Sequence, residues 1–258
     1  MKIAVCVKQV PDTETRIRIA ADGKGIVDLD VSWVISPYDE FAIEEALRIR
    51  EAKGGEVVLL SLGPDRVLTA LRNGLAMGAD SAVHLKDPLF DATDALGTAK
   101  ALAAALKTVG ADLILMGQQG VGGDHSQTPG LVAETLDLPQ VTMAVKVEVE
   151  DGKARVGREI EGGREVWETS LPAVISAQKG LNEPRYASLK GIMAAKKKPV
   201  EVRDAAALGL SAAELAPKTR VTSMELPPAR QAVKMIEGDA STQARELLRA
   251  LHQDAKVI

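Results

Sequence analysis

The chain has 258 residues, of which 46% are hydrophobic and 26% charged, as in ordinary globular proteins. Its net charge of −4 gives no global positive field for binding nucleic acid. A single cysteine, Cys6, excludes an intrachain disulfide. No stretch approaches the roughly 20 apolar residues that span a bilayer, and no signal-peptide pattern is present. We therefore expect a soluble intracellular protein, with an aliphatic core because only 2% of the residues are aromatic.

The first part of the chain alternates between predicted strands and helices. Apolar runs predict strands over 2–10, 56–63, 81–85 and 111–117, and helical spacing predicts helices over 39–51, 64–77, 92–110 and 128–136. Strands separated by helices on short loops cannot form hairpins, so the pattern predicts a mostly parallel, Rossmann-like sheet with helices on both faces. Ligands of such sheets bind beyond the carboxyl ends of the strands, which directs attention to the segments after Val10, Leu62 and Met116.

The pattern changes after Leu138. Period-two alternation over 140–177 is interrupted at 151–152 and 162–163, where Asp-Gly and Gly-Gly pairs are typical of hairpin turns. We therefore predict a small antiparallel meander. A strand over 172–177 then follows and rejoins the main sheet.

The last part of the chain has a different composition. Prolines among alanines and charged residues predict irregular chain from residue 199, followed by an amphipathic helix over 241–252. No separate core is visible there. We therefore predict a nucleotide-binding α/β domain over 1–198, including the meander, and an extended C-terminal arm over 199–258 whose helix packs on a partner subunit.

Patterns for catalysis and metal binding are absent from the sequence. The histidines His84, His125 and His252 lack the spacing of metal ligands, and His84 on a strand is more simply structural. Cys6 lies inside the first predicted strand, where a buried thiol is a simpler interpretation than a nucleophile. No nucleophile elbow, Walker A or C-x-x-C motif appears. The sequence therefore predicts no catalytic residue, no metal site and no enzymatic activity.

A glycine-rich loop is the best ligand candidate. The stretch MGQQGVGGDHSQTPG over 116–130 follows an apolar strand and leads into a helix. Its glycines permit close backbone approach, and Ser126, Gln127 and Thr128 can donate hydrogen bonds to an anion at the helix start. The glycines and the hydroxyl-rich helix start favour a nucleotide-binding loop over an ordinary glycine-rich loop. The missing Walker A lysine argues against a transferable γ-phosphate.

A second candidate is the cluster WVISPYDEFA over 33–42. Tyr38 follows a proline and precedes a helix, where it can face a flat ligand. A hydrophobic staple with a helix cap explains the same residues equally well, so both interpretations stay open.

Several motifs together resemble the β subunit of the electron transfer flavoproteins. The most specific is LNEPRYASLKGIMAAKKK over 181–198. The others are VKQVPD at 7–12, SPYDEFAIEEALR at 36–48, LAMGAD at 75–80, GQQGVGGDHSQT at 117–128 and REIEGGRE at 158–165. The resemblance spans most of the chain and is looser after residue 198.

The resemblance implies a heterodimer in which an α subunit holds most of the redox-active FAD, while this chain binds a structural AMP. It places the phosphate of AMP at Ser126, Gln127 and Thr128, and Tyr38 against the flavin ring. The implied cofactor-binding residues are Cys6, Ser36, Tyr38, Asp39, Leu62, Gly117, Gln119, Gly120, Asp124, Ser126, Gln127 and Thr128.

The resemblance also implies that the 181–198 segment docks partner dehydrogenases. The implied docking residues are Glu183, Arg185, Tyr186, Leu189, Ile192, Met193, Lys196 and Lys197. Electrons would come from acyl-CoA and related dehydrogenases and pass through FAD to a membrane quinone oxidoreductase of the respiratory chain. The expected location is the cytoplasm of a bacterium, or the mitochondrial matrix of a eukaryote.

Three alternatives stay open. A bifurcating branch of the family replaces AMP by a second FAD, although Gln127-Thr128 resembles the AMP-binding type more closely. An ATP-using enzyme with the adenine-nucleotide α-hydrolase fold would need a Ser-Gly-Gly-rich loop after the first strand, which 7–15 does not offer. A universal-stress-type homodimer would leave the meander and the NEPRY motif unexplained.

Overall fold

The computed structural model describes residues 1–230 and 232–258. The strands are β1 Lys2–Cys6, β2 Gln9–Pro11, β3 Trp33–Ile35, β4 Glu56–Leu62, β5 Ser81–Leu85, β6 Leu113–Gly117, β7 Gln140–Glu150, β8 Lys153–Ile160, β9 Gly163–Ser170, β10 Ala173–Ala177 and β11 Val200–Arg203. The α-helices are α1 Pro37–Lys53, α2 Val67–Met77, α3 Pro88–Asp91, α4 Ala95–Val109, α5 Thr128–Leu136, α6 Leu189–Ala195, α7 Ala212–Leu215 and α8 Ala240–Arg249. A π-helical turn, Ala250–Asp254, follows α8.

One large sheet contains nine of these strands, in the order β11-β5-β4-β1-β6-β10-β7-β8-β9. Every neighbouring pair from β11 to β7 is parallel. Strands β7, β8 and β9 form the antiparallel meander at one end. The mostly parallel sheet and the meander are therefore confirmed, and so is the return of the strand after the meander, since β10 lies between β6 and β7.

Helices cover both faces of the parallel part of the sheet. In β1, Ile3 and Val5 belong to the apolar layer formed with α1 and α2. Ala4 and Cys6 belong to the opposite layer, formed with α4 and α5. The largest fully buried side chains are all leucines or isoleucines, which confirms the aliphatic core. This two-layer burial explains why the strands are apolar on both sides rather than alternating.

The predicted strand over 2–10 is interrupted, which corrects the sequence analysis. β1 ends at Cys6, and β2 pairs with β3 in a separate antiparallel ribbon. The physical reason lies at Lys8, whose backbone N–H donates to the carboxylate of Asp39 at 2.7 Å rather than to a neighbouring strand. The chain therefore leaves the main sheet before Val10, where the strand was predicted to end.

The chain after residue 199 is more ordered than predicted. β11 pairs in parallel with β5 and adds an edge strand to the main sheet. Ala205 and Leu215 are buried in the same apolar layer as α4. The prediction of irregular chain is wrong for β11 and α7, because elements of four residues carry too little periodicity to be recognised. The division into a domain and an arm at residue 198 stays a prediction.

The remainder of the arm lies on the surface. Among the described residues after Leu215, none is buried. The backbone N–H groups of Lys218 and Thr219 donate to Asp94 Oδ2, and the N–H of Met224 donates to the carbonyl of Gly23 at 2.7 Å. Helix α8 confirms the predicted C-terminal helix. In the part of the chain that the structure describes, no helix combines the length and the apolarity needed to cross a bilayer.

Two truncations are predicted to differ in stability. A chain ending after residue 216 keeps β11 and the buried Leu215, whereas a chain ending after residue 198 loses both and leaves the edge of β5 unpaired. We expect the chain that ends after residue 216 to be more stable than the chain that ends after residue 198. The difference in the free energy of unfolding should be at least about 2 kcal/mol, the cost of emptying a buried leucine site. The free energy of unfolding is measured by urea denaturation. Equal transition midpoints would show that β11 and α7 contribute nothing.

Candidate functional site

The carboxyl ends of β1, β4 and β6 meet at one side of the sheet, which we call the carboxyl edge. Asp39 in the first turn of α1 holds this edge together. Its Oδ2 accepts the N–H of Lys8 at 2.7 Å, and its Oδ1 accepts the N–H of Gly117 at 2.8 Å. Ser36 is also buried, and its hydroxyl donates to the carbonyl of Gln119 at 3.3 Å. The start of α1 therefore joins the ends of two neighbouring strands.

Close approach explains why glycine stands at position 117. A Cβ atom there would lie 2.3 Å from Oδ1 of Asp39 and 2.8 Å from the backbone nitrogen of Asp39. Any side chain would push α1 away from β6 and break the hydrogen bonds to the carboxylate. The first glycine of the loop therefore serves packing within the protein.

Burial changes the ionisation of two groups at this edge. Burial raises the pKa of Asp39 to about 7, although the hydrogen bonds from Lys8 and Gly117 act in the opposite direction. Burial, and to a smaller extent the charge of Asp39, also raises the pKa of the Cys6 thiol. Cys6 is only 4% exposed. Its thiol is therefore a neutral, buried group, which is unsuited to nucleophilic chemistry.

The glycine-rich loop is held by two glutamines. Gln119 Nε2 donates to Asp124 Oδ1 at 2.8 Å, and the hydroxyl of Ser126 donates to Gln119 Oε1 at 2.7 Å. These bonds support the left-handed backbone at Asp124 and Ser126, with φ angles of 49° and 53°. Gln118 Oε1 accepts the hydroxyl of Ser176 at 2.6 Å, which ties the loop to β10. Hydrogen bonds therefore fix the loop at Gln118, where it leaves β6, and again at Asp124 and Ser126.

The start of α5 carries N–H groups that no side chain caps, and Pro129 in its first turn has no N–H of its own. The first N–H groups of an α-helix have no partner within the helix. No side chain caps α5, whose N-cap residue is Gln127. The partial positive charge of a helix start favours anions, and Thr128 places a hydroxyl beside it, whereas the hydroxyl of Ser126 donates to Gln119. The donor set therefore fits a phosphate group.

The sequence-predicted cofactor-binding residues lie at the carboxyl ends of β1, β4 and β6, at the start of α1, and in the loop from β6 to the start of α5. Cys6, Ser36, Asp39 and Gly117 are buried. Tyr38, Leu62, Gln119, Gly120 and Thr128 are half-buried, and Asp124, Ser126 and Gln127 are exposed.

Lys8 and Gln118 were not predicted as site residues. The side chain of Lys8 lies against the loop, because a Cβ atom on Gly120 would sit 2.6 Å from its Cδ. Lys8 belongs to the VKQVPD motif and Gln118 to the GQQGVGGDHSQT motif, and neither motif carries a periodicity that marks these two positions.

The second functional candidate is the docking segment, residues 181–198. Its helix α6 is capped by Ser188, whose Oγ accepts the N–H of Gly191 at 3.0 Å. Arg72 of α2 donates to the carbonyls of Ala195 and Lys198 at 2.6 and 2.8 Å. Lys198 Nζ in turn donates to the carbonyl of Leu75 at 3.0 Å. The docking segment is therefore fastened to α2 at its C-terminal end.

An apolar patch stands out from this segment. Tyr186 is 98% exposed, Leu189 84% and Met193 64%, and Ile192 is exposed beside them. Glu183, Lys196 and Lys197 are also exposed. A cluster of exposed apolar side chains next to charged groups is typical of a protein-binding surface.

Arg185 and the backbone of Glu183 contact α1 rather than facing solvent. Arg185 Nε donates to Glu44 Oε2 at 2.7 Å, and its Nη2 donates to Glu51 Oε2 at 3.1 Å. The carbonyl of Glu183 accepts a hydrogen bond from Arg48 at 3.4 Å. The predicted docking residues therefore divide into an outward set and Arg185, which is paired within the chain.

Comparisons with known proteins decide the family. The sequence model of the electron transfer flavoprotein domain matches residues 24–208. The chain is 40% identical to an electron transfer flavoprotein subunit beta of Bacillus subtilis over 260 residues, which cover 100% of both chains. The chain belongs to the electron transfer flavoprotein family. It is also 43% identical over 259 residues to such a subunit of Syntrophomonas wolfei, covering 100% of this chain and 98% of the relative.

A third relative covers less of the chain at higher identity. The electron transfer flavoprotein subunit beta of Thermoanaerobacterium thermosaccharolyticum is 45% identical over 191 residues, or 74% of this chain and 73% of the relative. The sequence-based assignment to the family is thus confirmed. Flavoproteins of this family carry electrons, so the chain has an electron-transfer role. In the described residues, no group of three or more His, Cys, Asp or Glu side chains is placed to hold a metal ion.

Asp39→Asn is predicted to change how stability depends on pH. The folded chain keeps the Asp39 proton up to about pH 7, whereas the unfolded chain releases it near 3.8. The folded state therefore binds more protons between these values, and the contribution of Asp39 to stability is lost as the pH rises through this window. The Asn variant lacks this contribution, although it loses one backbone hydrogen bond at every pH.

The measurement is urea unfolding of both proteins between about pH 4 and about pH 8, where each unit of pKa shift corresponds to about 1.4 kcal/mol. The free energy of unfolding of the parent chain should fall relative to that of the variant as the pH rises. Parallel profiles would contradict the raised pKa.

Proposed function

We propose that the chain is the β subunit of a heterodimeric electron transfer flavoprotein in the bacterial cytoplasm. Its α subunit holds most of the FAD, which supplies the redox chemistry when bound. Electrons come from acyl-CoA and related dehydrogenases and go to a membrane quinone oxidoreductase of the respiratory chain. The chain makes and breaks no bonds itself. Full-length identity to β subunits of two bacteria supports this proposal.

The carboxyl edge is the proposed site of a structural AMP. The observation that carries this assignment is the uncapped start of α5 beside the hydroxyl of Thr128. A monophosphate needs neither the lysine of a Walker A loop nor Mg²⁺, and this loop contains no lysine. Buried Cys6 and half-buried Leu62 supply apolar surface at the same edge. Tyr38, at the start of α1, is assigned the contact with the flavin ring.

The docking segment is the proposed contact for dehydrogenases. Leu189 is a small, highly exposed apolar anchor, and such anchors carry much of the energy of an interface when they enter a pocket. Lys190, Lys196 and Lys197 surround it with positive charge, which accelerates encounter with a partner of opposite charge. A small anchor with surrounding charge gives fast and weak binding, which suits a carrier that serves several partners.

Counting the bound nucleotides tests the cofactor assignment. The chain is coexpressed with the α subunit, the purified complex is denatured, and the released nucleotides are identified and counted. We expect one FAD and one AMP per heterodimer, because the phosphate site suits AMP and the α subunit holds the flavin. Two FAD and no AMP would make the protein a bifurcating type. ATP turnover without any FAD would instead support an enzyme of the same fold.

Leu189→Ala is predicted to weaken docking without disturbing the heterodimer. Removing the anchor should raise the KM for the flavoprotein about tenfold in dehydrogenase-driven reduction, because truncated anchors cost on the order of 1–2 kcal/mol. FAD content should stay unchanged. Leu29→Ala is the matched control, since Leu29 is 69% exposed and lies outside the docking segment. Loss of FAD in the Leu189 variant, or an equal effect of both substitutions, would contradict the docking role.

A further inference from the structure

Arg185 makes an unusually complete set of ion pairs for a residue beside an exposed surface. Its Nε and Nη2 donate to the two oxygens of Glu44 at 2.7 and 3.1 Å. Its Nη1 and Nη2 donate to the two oxygens of Glu51. Its backbone N–H also donates to Glu44 at 3.2 Å. Since a guanidinium has five N–H donors, Arg185 keeps few for a partner protein.

The two carboxylates are suited to hold this arginine. Burial raises the pKa of Glu44, but the hydrogen bonds from Arg185 and Arg48 outweigh it and hold that pKa below its usual value. The hydrogen bond from Arg185 also lowers the pKa of Glu51. The side chain of Glu44 is only 4% exposed, whereas that of Glu51 is 49% exposed. Both carboxylates are therefore ionised at neutral pH, and one of them is shielded from solvent.

A second contact fixes the same stretch of chain to the same helix. Asn182 Nδ2 donates to Glu45 Oε2 at 2.9 Å and to the carbonyl of Phe41 at 3.0 Å. The residues from Asn182 to Arg185 thus lie along the outer face of α1, immediately before the exposed Tyr186. The N-terminal end of the docking segment is fastened to α1, just as its C-terminal end is fastened to α2.

Helix α1 also begins at the carboxyl edge, where Asp39 joins the ends of β1 and β6. At a rise of roughly 1.5 Å per residue, Glu44 lies about 8 Å and Glu51 about 18 Å further along the helix from Asp39. A single rigid helix therefore connects the carboxyl edge to the docking segment. The position of the apolar patch relative to that edge depends on the contacts between α1 and Arg185.

We propose that Arg185 is a positioning residue, whose paired contacts with Glu44 and Glu51 hold the apolar patch in its binding position without contacting the dehydrogenase. This inference rests on the proposed docking function. It predicts that Glu51, which lies outside the docking segment, is required for tight docking. If Arg185 contacted the partner directly, removal of the Glu51 charge would free the arginine and would leave docking unchanged or stronger.

The experiment uses the FAD-loaded heterodimer and a purified acyl-CoA dehydrogenase. KM for the flavoprotein and kcat are measured for Glu51→Gln, Arg185→Lys and Arg185→Met. Glu168→Gln is the matched control, because Glu168 is an exposed partner of Lys153 on the meander and the charge change is the same. We expect KM to rise about tenfold for Arg185→Met and about threefold for Glu51→Gln, with kcat and the control unchanged. Arg185→Lys should restore only part of the affinity, since lysine cannot bridge two carboxylates.

Hydrogen exchange of the same heterodimers without dehydrogenase gives a second measurement. Amides of residues 186–193 should exchange faster in Glu51→Gln and Arg185→Met than in the parent protein, because the segment loses its attachment to α1. Unchanged exchange, or an unchanged KM for Glu51→Gln beside a raised KM for Arg185→Met, would overturn the positioning role. If no dehydrogenase reduces the parent heterodimer, the proposed function fails, and the exchange measurement still decides whether Arg185 positions the segment.

Discussion

The buried carboxylate of Asp39 is the contact on which the arrangement of both candidate sites depends. It accepts the backbone N–H groups of Lys8 and Gly117, which lie at the ends of two central strands, and it belongs to the first turn of α1. A buried carboxylate is costly unless its oxygens are hydrogen-bonded, so this arrangement specifies one position for the helix. The glycine-rich loop leaves the sheet at that point, and the docking segment is fastened further along the same helix.

The carboxyl edge and the docking segment differ in how they are built. At the carboxyl edge, polar groups are paired with one another and the first N–H groups of α5 have no side-chain cap, as expected of a site for a tightly held anion. In the docking segment, apolar side chains face solvent while polar groups hold the backbone from behind. The first arrangement suits a permanent ligand, and the second suits a partner that binds and leaves.

Much of the fold was predictable because its elements are long and strongly patterned. Apolar strands between amphipathic helices specified the parallel sheet, and the Asp-Gly turn specified the first hairpin. The elements that were missed are short, between three and seven residues, which is too few for a period to show clearly: β3, α3, α6, α7 and β11. The break after Cys6 was missed for another reason. The apolar pattern continues through Val7 and Val10, and only the pairing of Lys8 with Asp39 reveals that the strand has ended.

The sequence by itself determined the family, the order of the elements and the two segments where function is expected, because motifs and periodicities are local properties of a chain. It did not determine which polar residues face outward. Arg185 and Lys197 are both cations in one motif, yet Arg185 is paired with Glu44, 141 positions away, and Lys197 is exposed. Only the tertiary structure brings α1 beneath the docking segment. Distant pairing of this kind has no local signature, since it depends on how the helices pack on the sheet.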